Sequence, residues 1–312
     1  MTAPPLRAGD FANTAALLDA AARVHGERDA YVESGVGRIS YAEWVFRARA
    51  LAAKLSARGI GKGDIVALIL PSGIDYAVCF AAVALLGAVT TGVNPRLGPR
   101  ETEAIFARVR PTLVIRDPHA GLPEAPGGYP VMSRADACST ADFGAGTVPV
   151  VVIKRSDPVT IVFTSGTTGL PKGAWFDADN LAASAATSGI MSAPYDRRLT
   201  GTPFPHAGYM SKLWDQLVWG TAVVMAPSPW SAAGMYGAIR DERITVGGGV
   251  PTQWEKLLEL PDLDTCAFSH LRVGVVASAP ASPALLSRVR DVIGVPLVVR
   301  YAMTESPSVS GT

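Results

Sequence analysis

The chain contains the stretch TIVFTSGTTGLPKG at residues 160–173, and this stretch predicts the fold around it. Its first four residues form a short apolar run that ends at a turn, which is typical of a buried strand. A loop rich in glycine and threonine follows, and residues 174–190 are predicted to be largely helical. Strand, loop and helix in this order form one unit of an α/β fold and the usual setting of an anion site.

The loop itself carries residue types that bind phosphate. Gly166 and Gly169 allow backbone conformations that direct successive N–H groups at one centre, and Lys172 adds a mobile positive charge. Hydroxyl donors come from Ser165, Thr167 and Thr168. The spacing differs from the Walker pattern G-x-x-x-x-G-K-[ST], which disfavours a phosphate-loop kinase or GTPase. The loop is therefore predicted to bind phosphate, but the chain is not predicted to be a Walker-type NTPase.

Outward from this stretch, predicted strands and helices alternate. Ser40 and Glu43 have the spacing of a capping box, which predicts that a helix begins there. Further strands are predicted at 65–70, 89–93, 112–115, 150–153, 221–226, 244–247, 271–276 and 296–301, and further helices at 76–86, 99–109, 253–260 and 283–292. This alternation predicts parallel βαβ units and an α/β fold of two lobes, at about 65–195 and at about 15–60 plus 200–312.

The composition limits the classes of protein to which the chain can belong. Its 312 residues include 28 Lys plus Arg and 27 Asp plus Glu, a net charge of +1, so no nucleic-acid partner is predicted. The start lacks a basic and apolar leader, and three scattered cysteines fit neither a disulfide framework nor a metal site, so a cytoplasmic location is expected. An uncharged run between Asp75 and Arg96 is too short in its apolar part to span a bilayer, and no transmembrane segment is predicted.

The sequence TSGTTGLPKG at 164–173 resembles the phosphate-loop signature of the adenylate-forming acyl-CoA synthetases. Blocks similar to other family blocks follow in the expected order: PFPHAG at 203–208, GVPT at 249–252, ASAP at 277–280 and YAMTE at 301–305. The resemblance implies an enzyme that joins a carboxylate to ATP, releases pyrophosphate, and passes the acyl-adenylate to the thiol of coenzyme A. The cofactors and partners that it implies are ATP, Mg²⁺, coenzyme A and a small-molecule carboxylic acid.

The resemblance also implies roles for individual residues. The β- and γ-phosphates are expected to bind Thr164, Ser165, Gly166, Thr167, Thr168, Gly169 and Lys172. The nucleotide site is expected to include Ala277, Ser278, Ala279, Pro280, Tyr301, Ala302, Met303 and Thr304. The substrate pocket is expected to include His206, Ala207, Tyr209 and Gly249. Catalytic roles fall to Lys172, His206, Thr304, which donates to the α-phosphate, and Glu305, which binds Mg²⁺.

Several alternatives stay open at this point. Family members continue past the equivalent of Thr312 with a small β-barrel subdomain and a mobile C-terminal domain, so the resemblance implies a partial N-terminal domain that catalyses poorly by itself. Other functions that fit are an acyl-AMP ligase that feeds a carrier protein and a nucleotide-binding module without turnover. The pocket blocks contain apolar residues and no obvious cation, which favours a hydrophobic acid, a fatty acid first and an aryl or alicyclic acid second. A homo-oligomer is compatible with the sequence.

Overall fold

The computed structural model of the chain describes residues 3–119, 121–139, 147–164, 169–307 and 310–311. The strands are β1 (Asp29–Glu33), β2 (Gly37–Ser40), β3 (Ile65–Ile69), β4 (Val89–Gly92), β5 (Leu113–Arg116), β6 (Val131–Ser133), β7 (Pro158–Phe163), β8 (Gly173–Asp177), β9 (Arg197–Thr200), β10 (Ala222–Met225), β11 (Val246–Gly249), β12 (Val273–Val276), β13 (Leu297–Tyr301) and β14 (Ser310–Gly311). The helices are α1 (Thr14–His25), α2 (Tyr41–Ala57), α3 (Ile74–Leu85), α4 (Pro99–Val109), α5 (Arg134–Cys138), α6 (Ala178–Ala186), α7 (Ala207–Met210), α8 (Leu213–Trp219), α9 (Ala232–Asp241), α10 (Pro251–Leu258) and α11 (Pro283–Ile293).

The strands form two mixed sheets. One sheet has the order β6-β5-β3-β4-β7-β8 and is parallel except at β8. The other has the order β14-β13-β12-β11-β9-β10-β1-β2 and is parallel except at β2 and β14. The predicted α/β class is therefore confirmed. The limits given above for two lobes stay a prediction.

One apolar core joins the two sheets. It contains Tyr31 from β1, Val66 from β3 and the fully buried Trp44 of α2. The Trp44 indole N–H donates to the carbonyl of Ala77 at 2.9 Å, which ties α2 to α3. Every residue of α3 except Asp75 in its first turn is buried, and this central position in the core explains why the rest of the helix carries no charge.

No helix in the described ranges has both the length and the apolar character needed to cross a bilayer.

The local helix signals were accurate at α2. The Ser40 hydroxyl accepts a hydrogen bond from the Glu43 N–H at 3.2 Å, as the capping box predicts. The Glu43 carboxylate, however, pairs with Arg47 one turn later rather than with the cap N–H. Gly59, with φ +84°, follows the end of the helix in the left-handed region that glycine favours.

Two predicted elements are wrong. Residues 150–153 form no strand, and the helix predicted from 174 is preceded by β8, so that α6 begins only at Ala178. The alternation in β8 explains the difference, because Phe176 is buried while Trp175 is 59 % exposed. Asp177 then accepts from the Asn180 N–H at 2.8 Å and caps α6.

Candidate active site

The candidate site residues follow the carboxyl ends of neighbouring parallel strands. β9, β11, β12 and β13 lie side by side in that order, with the same direction. The predicted blocks come directly after them: His206 after β9, Gly249 at the end of β11, Ala277 after β12, and Thr304 after β13. In open α/β sheets the carboxyl edge of the strands is where ligands bind. The fold thus brings four blocks that are distant in sequence to one edge.

The turn that carries His206 also contacts the other sheet. The Phe204 N–H donates to the hydroxyl of Ser72, which follows β3, at 2.8 Å. Gly92, at the carboxyl end of β4, lies so close to Pro205 that a Cβ on Gly92 would be 2.8 Å from the Pro205 Cβ. The carboxyl edges of both sheets therefore meet at this turn.

We expect Gly92→Ala to destabilise the chain by about 1 to 3 kcal/mol, because the added methyl group would collide with Pro205 and with the Tyr76 hydroxyl. The matched control is Gly61→Ala, since a Cβ at Gly61 meets no atom within 4 Å. Urea unfolding of the two variants measures the difference. Equal unfolding free energies would show that the contact between the sheets at Pro205 is loose.

His206 is the N-cap of α7. Its Nδ1 accepts a hydrogen bond from the Gly208 N–H at 2.9 Å. Although His206 is exposed as a residue, partial burial desolvates the imidazole and lowers its pKa below the usual 6.5. The ring is then neutral at pH 7, and because Nδ1 accepts, the proton resides on Nε2. Nε2 can therefore donate to a carboxyl oxygen.

Tyr209 and Ala207, predicted to line the substrate pocket, belong to α7 and are buried. The Tyr209 ring stacks on Phe204 with centroids 3.7 Å apart. Its hydroxyl lies 2.7 Å from that of Tyr31, which donates in turn to Gln216 Oε1 at 3.1 Å. These contacts hold the Tyr209 ring in a fixed orientation.

Gly249 and the Ala277 segment are joined by a hydrogen bond from the Ala277 N–H to the Gly249 carbonyl, at 3.3 Å. Below Gly249 lies the buried Trp254, whose Nε1 would be 3.0 Å from a Cβ on Gly249. Ser278 has φ +71°, in the left-handed region that glycine adopts without strain. Ser278, Ala279 and Pro280 are exposed.

The last predicted block forms an exposed turn. Met303 and Ser306 exchange backbone hydrogen bonds of 3.1 Å in both directions, which places Thr304 and Glu305 at the tip. The Tyr301 ring is 60 % exposed, and Ala302 beside it is exposed too. In the described residues, His, Cys, Asp and Glu form no cluster of three or more that could hold a metal ion. A single carboxylate such as Glu305 nevertheless fits Mg²⁺, which commonly binds through one or two carboxylates plus substrate phosphates.

The predicted phosphate loop is described only at its two ends. Ser165, Gly166, Thr167 and Thr168 lie outside the described residues. The Thr164 N–H donates to the Lys172 carbonyl at 2.9 Å, which extends the antiparallel pairing of β7 with β8. The loop is thus the end of a hairpin, and the predicted order of strand, loop and helix is wrong. Gly169 has φ +149°, and the Lys172 side chain is exposed.

A cluster of charged residues behind α7 was not predicted from the sequence. A small cavity of about 30 Å³ is lined by Arg198, Thr200, Gly208, Tyr209, Lys212, Gln216 and Val223. Asp215 is completely buried beside it and accepts from Arg198 Nη2 at 2.7 Å. Lys212 and Asp215 stand in an otherwise uncharged, mostly apolar run at 209–219, and this was the signal that could have revealed the cluster.

Electrostatics in the cluster are strongly perturbed. Burial lowers the pKa of Lys212 to about 8, against the attraction of Asp215. Burial alone would raise the pKa of Asp215, but the charges of Arg198 and Lys212, with hydrogen bonds from Ser188 and Ser192, leave it lowered. Both groups are therefore ionised at pH 7.

A larger cavity, of about 580 Å³, lies elsewhere, between the β1–β2 hairpin and α9. None of the described candidate residues lines it, so its size does not make it the site.

The comparisons with known proteins identify the family. A sequence model of the AMP-binding enzyme family matches residues 18–312. The chain belongs to the AMP-binding enzyme family. It is 29 % identical over 306 residues to the long-chain-fatty-acid–CoA ligase FadD13 of Mycobacterium tuberculosis, a match that covers 93 % of this chain and 60 % of that protein. It is 28 % identical over 338 residues to 4-coumarate–CoA ligase 2 of Oryza sativa subsp. japonica, covering 97 % of this chain and 58 % of that protein.

A solved structure gives the same result for the fold. The inhibitor-bound N-terminal domain of FACL13 from Mycobacterium tuberculosis matches with a TM-score of 0.84 and 26 % identity, over 95 % of this chain and 77 % of that one. The resemblance to adenylate-forming acyl-CoA ligases, and specifically to their N-terminal domain, is confirmed. The chain spans about 60 % of the length of the curated relatives named above.

Proposed function

We propose that this chain is the acid-activating part of an ATP-dependent acid–thiol ligase. In the reaction a carboxylate oxygen attacks the α-phosphorus of ATP and pyrophosphate leaves. The thiol of coenzyme A then attacks the acyl carbonyl, and AMP leaves. The observation that carries the proposal is the meeting of the blocks after β9, β11, β12 and β13 at one sheet edge.

The residues at that edge have chemistry suited to the first step. Two anions must approach each other, so donors and cations have to offset the developing charge. His206 Nε2 would donate to the carboxyl group of the acid, and Thr304 would donate to the α-phosphate. Lys172 would neutralise part of the triphosphate, and Tyr301 would cover the adenine with its ring. Glu305 would hold Mg²⁺, which when bound offsets phosphate charge.

The family resemblance leaves the acid open, since the relatives named above are ligases of a long-chain fatty acid and of 4-coumarate. The buried rings of Phe204 and Tyr209 next to His206 support an acid with an apolar stem. A fatty acid stays the first sequence-based candidate. The cytoplasmic location and a homo-oligomer also stay predictions.

Titration calorimetry of this chain tests the proposal with two ligands, ATP and octanoyl-sulfamoyl-adenosine, a non-hydrolysable mimic of an acyl-adenylate. A site built for adenylation is expected to bind the mimic more tightly than ATP, because the mimic occupies the acid and nucleotide positions together. A nucleotide-binding module without turnover would show no such preference.

A second experiment identifies the thiol acceptor. Offering coenzyme A or a carrier-protein thiol to preformed acyl-adenylate separates the CoA ligase from the ligase that feeds a carrier protein.

We expect His206→Ala to weaken binding of the octanoyl mimic about tenfold, since it removes both the α7 cap and the Nε2 donor. His206→Asn, which restores a capping oxygen, is expected to recover stability more than affinity. The matched control is His270→Ala, because His270 is exposed and contacts Arg243 far from the site. If His206→Ala and His270→Ala bind the mimic equally well, His206 does not contact the carboxyl group of the acid.

A further inference from the structure

We propose that the acid activated by this chain carries a second carboxylate, at the end remote from the reacting one, and that this group binds in the cavity lined by Arg198 and Lys212. The proposal rests on the proposed function, because it extends the acid site from His206 inward. It is an alternative to the purely apolar acid that the motif blocks favour, since those blocks contain no cation.

The position of the cavity supports this assignment. Gly208 and Tyr209, which line it, belong to the same short turn that His206 caps. An acid whose reacting carboxyl group meets His206 would therefore extend past α7 towards Lys212. The far end of the acid is the part that lies closest to the cations.

Several N–H groups of Arg198 and Lys212 are available to a ligand. Within the described part of the chain, Arg198 donates through Nη2 alone, to Asp215, Ser192 and the Met191 carbonyl. Its Nε and Nη1 have no hydrogen-bond partner among the residues that the structure describes, although the side chain is only 14 % exposed. Lys212 makes one hydrogen bond there, to the Ser188 hydroxyl at 3.1 Å, and its other two N–H groups have no partner in the same described set. A largely buried guanidinium with open donors fits a carboxylate, which accepts two N–H groups side by side.

The charges also favour an anion. The positive charges of Arg198, Lys212 and Arg300 repel one another. The negative charge of Asp215 attracts Lys212 and Arg300. When all four are ionised, the cluster has an excess of two positive charges. Arg300 also donates to the Pro307 carbonyl at 2.9 Å, so its position is fixed at the end of β13. Burying unbalanced charge of one sign is costly, and a bound anion removes part of that cost.

The size of the cavity limits the group that it can hold. Its volume of about 30 Å³ suits a group of a few atoms. A single water already needs roughly 10 to 15 Å³. The long tail of a fatty acid does not fit, whereas a carboxylate does.

The experiment compares two families of non-hydrolysable mimics on this chain by titration calorimetry. One family is made from straight monoacids of four to eight carbons, and the other from the diacids of the same lengths, each joined to sulfamoyl-adenosine through one carboxyl group. We expect one diacid mimic to bind about tenfold or more tightly than its monoacid partner, as a pair of charge-assisted hydrogen bonds would give. If monoacid mimics bind as well as diacid mimics at every length, the inference is overturned while the proposed function stands. If neither family binds more tightly than ATP, the proposed function fails as well.

Variants locate the preference in the cavity. Lys212→Met and Arg198→Lys are each expected to bring the ratio of diacid to monoacid affinity towards one, Arg198→Lys because lysine lacks the two-pronged donor. Lys256→Met is the matched control, since Lys256 on α10 is exposed and pairs with Glu259, which follows that helix. If the ratio of diacid to monoacid affinity stays as high in Lys212→Met and Arg198→Lys as in the parent chain, the second carboxylate binds elsewhere and the assignment is overturned.

Discussion

Asp215→Ala is expected to destabilise the chain by about 3 to 5 kcal/mol, the largest loss that we predict for a single substitution here. Asp215 is completely buried and accepts from Arg198, Ser188 and Ser192. Its removal leaves the Arg198 guanidinium largely buried without its counter-charge, and an arginine cannot release its proton to escape that cost. Urea unfolding followed by circular dichroism measures the change.

A double variant isolates the physical cause. Adding Arg198→Met to Asp215→Ala removes the unpaired charge, so the double variant is expected to be more stable than Asp215→Ala alone. Asp241→Ala is the surface control, because Asp241 is 60 % exposed in its pair with Arg240. An unfolding midpoint of Asp215→Ala close to that of Asp241→Ala would mean that water reaches the cluster freely.

Lys172→Ala is expected to weaken ATP binding by about 10- to 150-fold, the equivalent of losing a charged hydrogen bond of roughly 1.5 to 3 kcal/mol. Lys172 ends the hairpin loop, and its exposed side chain is free to reach a polyphosphate. Adenosine lacks the phosphates, so its binding should hardly change. Titration calorimetry with ATP, AMP and adenosine gives the three affinities.

The comparison among the three ligands decides the role of Lys172. Lys256→Ala, an exposed lysine on α10, controls for a general loss of positive charge. A loss of adenosine affinity as large as that of ATP affinity would falsify the assignment of Lys172 to the phosphates.

The site blocks were identifiable from the sequence because each is a short contiguous motif. Gly249, Ala277 and Thr304 could be placed after strands from apolar runs and turn residues alone, whereas β9, the strand before His206, was not predicted. The helix start at Ser40 was equally local, since the cap and its partner are three residues apart. The family, the α/β class and the order of the blocks along the chain all depended on such local patterns.

The hairpin at the phosphate loop could not be predicted in this way. Residues 174–190 have helix-forming composition, but β8 forms because β7 offers a sheet edge and Phe176 can be buried against the core. Tertiary contacts outweighed local propensity there, as they commonly do in short strands.

The sequence by itself determined the family, the class of fold and the motifs that meet at the carboxyl edge of the strands. Only the tertiary structure decided what lies behind them. Arg198 on β9, Lys212 before α8 and Arg300 on β13 are far apart in the chain and belong to no shared motif. The fold brings Arg198 and Lys212 to one small cavity and Arg300 near enough for its charge to act on Lys212. Coulomb energy depends on distance in space and on burial, not on separation in sequence.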